Sequence, residues 1–191
     1  IISTGIATLS EIFDAVDACR RMGNNDIALL KCTSSYPAPP EDANLRTIPN
    51  MAETFGVPAG LSDHTLGDAV AIAAVALGAR IIEKHFILDR AMGGPDAEFS
   101  MEPAEFSKMT TSIRAVEKAL GSVTYELNDK IIKSRRFSRS LFAVEDIKAG
   151  EYFTEKNVRS IRPGNGLPPK FLKQLIGKKS DRDIPRGTPL S

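Results

Sequence analysis

Over residues 1–120 short apolar runs alternate with longer amphipathic segments, and that alternation restricts the fold more than any other feature. A run too short for a helix, followed by a stretch at helical spacing and then another short run, is the pattern of parallel strands joined by crossover helices. The first strand is Ile1-Ile2, ending at Ser3-Thr4-Gly5. Thr8 and Glu11 have the spacing of a capping box and open a helix to about Met22, with Ile12, Val16 and Cys19 on its core side. Residues 27–32 read as a second strand, 33–37 as a loop and 41–55 as a helix. A third strand is predicted near residues 57–62 and a fourth over 80–88. Between them lies a helix that starts near Thr65 and Asp68 and reaches Leu77. It is apolar on nearly every face and needs cover on all sides, from another domain or subunit. Pro103 starts a last helix with Phe106, Met109, Ile113, Val116 and Leu120 inward.

The character changes after Gly121. Residues 121–138 are polar and basic, with Lys130, Lys133, Arg135 and Arg136 close together, and read as a solvated linker. Residues 139–191 are turn-rich and strand-like, a separate small β module. It holds an internal echo: Asp146-Ile147-x-x-Gly150 recurs as Asp183-Ile184-x-x-Gly187, which points to two similar turns in a pseudo-symmetric fold. The expected organisation is therefore an α/β domain over 1–120, a linker over 121–138 and a β module over 139–191.

Charge excludes some partners. With 25 basic against 24 acidic residues the net charge is +1, so neither nucleic acid nor a membrane surface is indicated. The longest apolar stretch, residues 60–79, is interrupted by Asp63, His64 and Asp68 and does not read as a membrane span. Two cysteines, Cys19 and Cys32, fit no zinc spacing and suit a reduced, cytoplasmic protein. The chain opens on Ile1 inside an apolar run and reads as a segment of a longer protein.

His64 and His85 are the only histidines. Each falls at the end of a predicted parallel strand, and those two strands are separated by one helix. In α/β barrels the carboxyl ends of strands carry the site, so the imidazoles are placed to converge. Neutral imidazoles suit Mn, Fe, Co, Ni or Zn, and two ligands leave positions open for substrate. Position alone leaves another reading open, of hydrogen-bonded core or surface histidines. Ser3, Thr4, Ser34, Ser35, Tyr36 and Ser62 also follow strands, where hydroxyls can hold a phosphate or carboxylate; ordinary turn chemistry is the alternative. Glu83 lies two residues before His85, on the same strand face. There it either orients substrate or joins an ion pair. Asp96 sits in a tight Gly93-Gly94-Pro95 turn, and Arg162 on a glycine-rich loop, either as an exposed surface arginine or as a ligand.

The motifs Ile2-Ser3-Thr4-Gly5, Cys32-Thr33-x-x-Tyr36-Pro37, Gly60-x-Ser62-Asp63-His64-Thr65, Glu83-Lys84-His85-Phe86 and Gly94-Pro95-Asp96 occur in this order. Together they resemble the sialic acid synthase family, and the β module resembles that family's SAF domain, related to type III antifreeze protein. The resemblance covers essentially the whole chain. It implies the C-terminal half of a TIM (β/α)8 barrel followed by a β-rich, β-clip SAF domain. It implies condensation of phosphoenolpyruvate (PEP) with an N-acetylated amino sugar, and a domain-swapped homodimer in which one subunit's SAF domain closes the other's barrel. By motif, His64 and His85 resemble ligands of a divalent metal, Mn²⁺ with Mg²⁺ or Co²⁺ as alternatives. Ser3 and Ser62 resemble PEP-binding serines; Tyr36, Glu83 and Asp96 resemble residues that hold or activate the sugar; Arg162 resembles the arginine that reaches its N-acyl group. Glu83 is the candidate for proton transfer. Sialic acid synthases usually carry asparagine where this chain has Ser34. That departure, with Leu61, Phe99 and Ser100, implies a 2,4-diacetamido-2,4,6-trideoxy-altropyranose as the sugar. The alternatives are N-acetylmannosamine, the sugar of the legionaminic branch or, more remotely, a non-catalytic carbohydrate- or ice-binding module.

Overall fold

A computed structural model describes all 191 residues, which divide into two compact units, Ile1–Ser122 and Val123–Ser191. In the first, four strands pair in parallel in the order of the sequence: β1 (Ile2–Ser3), β2 (Leu29–Cys32), β3 (Ala59–Asp63) and β4 (Ile82–Lys84). The helices α1 (Leu9–Arg21), α2 (Thr47–Phe55) and α3 (Ala69–Ala76) connect them, and α4 (Pro103–Leu120) follows.

The first three helices pack on one face of the sheet. Val16 of α1, Ile48, Met51 and Phe55 of α2 and Ala74 of α3 share a single core with Leu29, Ala59 and Leu61 of the strands. Each fully buried Leu or Ile there contributes about 1.5–3 kcal/mol of apolar burial. α3 and α4 join through Ala71, Val75, Met109 and Ile113. Sequential strand order with crossovers on one face is a singly wound arrangement; a doubly wound sheet would reverse its order and split its helices. Residues of β2–β4 at the alternate positions, Cys32, Ser62 and Glu83, therefore face away from the helices.

Several boundaries differ from expectation for local reasons. The Thr8–Glu11 capping box forms in both directions and starts α1 as anticipated. The helix expected over 41–55 is broken: Pro40–Ala43 make a 3₁₀ turn, Asn44 adopts a left-handed conformation at φ 45°, and α2 starts only at Thr47. The fourth strand is three residues long, with an isolated parallel bridge from Phe86 to Met101 beyond it. Leu120, expected inward, is exposed at the end of α4. The apolar helix α3 buries Ala71, Ala74 and Val75 but leaves Ala69, Ala73 and Ala76 uncovered in this chain.

Residues 122–138 are not wholly irregular, since α5 (Asp129–Ser134) is capped by the Asn128 side chain. In the second unit β5 (Ser140–Ala143) pairs antiparallel with β6 (Val158–Ile161), and α6 (Leu172–Leu175) follows. Its core is Leu141, Ala143, Ile147, Phe153, Val158, Ile184 and Leu190. The two copies of the repeated motif meet each other. Ile147 and Ile184 exchange both backbone hydrogen bonds, at 2.9 and 2.7 Å. Asp183 accepts from the Ala149 amide, and Asp146 accepts from the Arg186 amide, so each aspartate caps the other copy's turn. Gly150 and Gly187 close those turns at φ 86° and 85°, a region that disfavours a side chain.

Candidate functional site

Parallel strands end together, so the residues just past each strand gather at one edge of the sheet. There His64 follows β3 and His85 follows β4, with ring centroids 5.2 Å apart. His64 is buried, and its Nδ1 lies 2.8 Å from the Thr33 carbonyl oxygen. A carbonyl only accepts, so Nδ1 carries a proton, and in the neutral ring Nε2 is then the nitrogen with the lone pair. That is the arrangement in which an outer hydrogen bond orients an imidazole for a cation. His85 Nδ1 lies 3.5 Å from the Asp96 carboxylate.

Ser62 and Glu83, one strand position earlier on the same face, meet directly: Ser62 Oγ donates to Glu83 Oε1 at 2.6 Å. Glu83 therefore has a hydroxyl partner, and the ion pair considered for it does not form. Tyr36 packs its ring against His64 at 4.3 Å, and Phe99 packs against His85 at 4.9 Å. Tyr36 and Phe99 are themselves 5.7 Å apart, so two aromatic rings wall the two imidazoles.

Six of the sequence-derived residues thus come together: Tyr36, Ser62, His64, Glu83, His85 and Asp96. Ser3 stands exposed at the end of β1. Ser34, also exposed, lines an open groove with Gly5, Lys31, Ser35, Asp42 and Asn44. Arg162 is exposed in the second unit, one residue past β6.

As a metal site the cluster is a partial donor set. No three His, Cys, Asp or Glu side chains close into a cage. The chemistry of the donors present nonetheless fits a divalent cation, with two neighbouring imidazoles, one already held in the tautomer that frees Nε2, and carboxylates close by.

Two contributors carry no obvious signal in the sequence. The Thr33 carbonyl is backbone and has no residue type. Asp63 and Lys84 form a buried ion pair behind the histidines, at 2.8 Å with each side chain 1% exposed. Strand alternation places them opposite His64 and His85, and that was the signal available.

Comparison with known proteins adds the following. Residues 1–125 match the NeuB family and residues 138–191 match the SAF domain. The chain is 48% identical over 190 residues to pseudaminic acid synthase of Campylobacter jejuni, covering 100% of this chain and 55% of that protein. It is 47% identical over 192 residues to pseudaminic acid synthase of Helicobacter pylori, covering 100% of this chain and 56% of that protein. The N-acetylneuraminic acid (sialic acid) synthetase from Leptospira borgpetersenii superposes with a TM-score of 0.63 at 39% identity, over 70% of this chain and 47% of that one. The chain spans about half the length of the curated relatives it matches.

Proposed function

The chain belongs to the NeuB family, and on that premise we propose that the full-length protein condenses PEP with 2,4-diacetamido-2,4,6-trideoxy-altropyranose and water to give pseudaminic acid and phosphate. The observation that carries this reading is the likeness to two pseudaminic acid synthases along the whole chain, coinciding with the side chains gathered at the strand ends. The singly wound sheet supplies four consecutive strands of an eight-stranded barrel, completed by the part of the protein outside this chain. The SAF domain covers the barrel mouth of a second subunit in a dimer. No helix is long and apolar enough to cross a membrane, and a cytoplasmic location fits a biosynthetic enzyme fed by PEP.

In this reading His64 and His85 hold a divalent cation, Mn²⁺ first, with Mg²⁺ or Co²⁺ as alternatives. Such a cation supplies Lewis-acid polarisation of the open-chain sugar's aldehyde. Ser3 and Ser62 line the PEP site, Ser62 with its hydroxyl proton given to Glu83, and Ser34 contacts substrate. Tyr36 and Asp96 hold the sugar hydroxyls and amides, and Phe99 closes the wall behind His85. C3 of PEP forms the new carbon–carbon bond at the aldehyde carbon. Positive charge develops at PEP C2, water adds there, and phosphate leaves by C–O cleavage. Glu83, aligned by Ser62, moves the protons of these steps. Arg162 contacts the N-acyl group from the partner subunit's SAF domain and helps to exclude water.

The test is direct. The full-length enzyme is assayed with PEP and Mn²⁺ against the diacetamido-trideoxy-altropyranose, its legionaminic counterpart and N-acetylmannosamine. Phosphate release should be fastest, by kcat/KM, with the first sugar. A preference for either of the others replaces the sugar assignment, and no phosphate release with any of them removes the synthase reading.

A further inference from the structure

The buried ion pair behind the site is out of proportion to its surroundings. The side chains of Asp63 and Lys84 are each 1% exposed, on the sheet face turned from the imidazoles. Burying two charges is costly, and a buried pair is often no more stabilising than apolar residues of equal volume. Stability alone is therefore a poor reason for this one.

Its bonds point elsewhere. Asp63 Oδ1 accepts from the Thr65 amide at 2.9 Å and from Thr65 Oγ1 at 2.8 Å. Asp63 Oδ2 accepts from Lys84 Nζ at 2.8 Å, and Lys84 Nζ also donates to the Thr65 carbonyl at 2.5 Å. The Asp63 carboxylate, the Lys84 ammonium and the amide, hydroxyl and carbonyl of Thr65 thus close a ring of hydrogen bonds behind His64, the one residue between Asp63 and Thr65. His85 is the residue after Lys84. The β3–β4 ladder has its last pair at Asp63 and Lys84. Past that pair the two strands share no further ladder pair with each other: the carbonyl of His64, the next residue, accepts from the Ala38 amide, and that of His85 from the Met101 amide. The ion pair sits where the ladder stops and carries its register one residue further.

We propose that Asp63, Lys84 and Thr65 are positioning residues that set the separation of the His64 and His85 rings for a shared cation. This rests on the reading that those imidazoles hold the cation. The two pair members come from different strands, so they fix one imidazole against the other rather than each alone. Thr65 is buried at 1% exposure and its hydroxyl is given to Asp63, so its part is indirect.

The experiment uses the full-length protein and equilibrium Mn²⁺ binding by calorimetry, with thermal unfolding alongside. Asp63→Asn/Lys84→Met removes the charges at similar volume. Its Mn²⁺ affinity should fall about tenfold or more, the scale of losing an outer-shell partner, with the unfolding midpoint little changed. In the metal-free crystal structure of this variant the two ring centroids should lie farther apart than 5.2 Å. A folded double variant that binds Mn²⁺ like the unaltered protein overturns the proposal. If the double variant does not fold, Thr65→Val decides, since it deletes one hydroxyl and keeps the pair; unchanged affinity there overturns the proposal as well. His85→Ala separates the two failures. Wild-type Mn²⁺ binding in His85→Ala removes the metal reading and this inference together. Lost binding in His85→Ala with retained binding in the double variant removes this inference alone.

Discussion

Ser62 Oγ donates to Glu83 Oε1 at 2.6 Å, across neighbouring strands and two residues before each of the two histidines. A carboxylate with one oxygen fixed by a hydroxyl keeps the other free and aimed. Glu83→Gln keeps the shape and can still accept from Ser62 through its carbonyl oxygen, so it removes only charge and basicity. If Glu83 moves protons, kcat of the full-length enzyme should drop about 10²–10⁴-fold, while Mn²⁺ binding stays within a few-fold of normal. Steady-state kinetics with both substrates check this. A Gln variant with near-normal kcat removes Glu83 from the proton-transfer role.

The imidazoles predict a metal dependence. Dialysis of the full-length enzyme against a chelator should abolish phosphate release, and Mn²⁺ should restore it. His85→Ala should not be restored, and its Mn²⁺ affinity should fall by more than the ~10–100-fold typical of outer-shell changes. His85 is part-exposed and lies outside the main cores, so far-ultraviolet circular dichroism should be unchanged. Activity that survives exhaustive chelation contradicts the role given to both histidines.

Arg162→Ala should raise KM for the sugar with little change in KM for PEP. The exposed side chain can be removed without cost to its own unit. An unchanged KM for sugar argues against contact with the N-acyl group.

The parts of this architecture that repeat were legible in the sequence. Alternation over residues 1–120 has one simple meaning, and it placed His64 and His85 at the ends of adjacent strands before any coordinates. The Asp146 and Asp183 motifs likewise announced two related turns, and their glycines adopt nearly the same φ. What was missed depends on register or on backbone. Asp63 and Lys84 lie inside the histidine motifs themselves, yet their pairing needs the β3–β4 register, which no single strand contains. The Thr33 carbonyl that orients His64 has no side-chain identity to read. Asn44 broke an expected helix because a left-handed residue interrupts a periodicity that continues on both sides of it.

Gly60 is required by space rather than by conformation. A β-carbon there would lie 2.4 Å from the Ile81 carbonyl oxygen and 2.9 Å from Ile81 Cβ. The first of these is backbone of the segment leading into β4 and cannot rotate aside. Gly60→Ala should cost about 1–3 kcal/mol by overpacking, read as a lower denaturation midpoint of the full-length protein. Because the strain falls between β3 and β4, Mn²⁺ affinity should fall too. A variant of unchanged stability shows that the two strands separate more easily than their packing indicates.

The pseudo-symmetric turns of the SAF domain give a prediction in pH. The Ala149 amide, and then Lys148, hold the Asp183 carboxyl below its ordinary value, while Asp183 raises Lys148. A lowered carboxylate stabilises the folded state above its unfolded pKa, near 3.9, and that contribution is lost as pH falls through the folded value. The lysine contribution runs the other way, present below about 10.4 and lost as pH climbs through its raised value. Between these limits both act on the same turn. Both groups are exposed, so the effect is local and is best read at the amide itself. At pH 6 the Ala149 N–H should exchange more slowly, relative to its intrinsic rate, than in Asp183→Asn. As pH falls through the lowered folded value, so that the carboxyl becomes protonated in folded and unfolded chains alike, that difference should close. A protection gap that persists unchanged into acid means that the carboxylate charge is not what holds the turn.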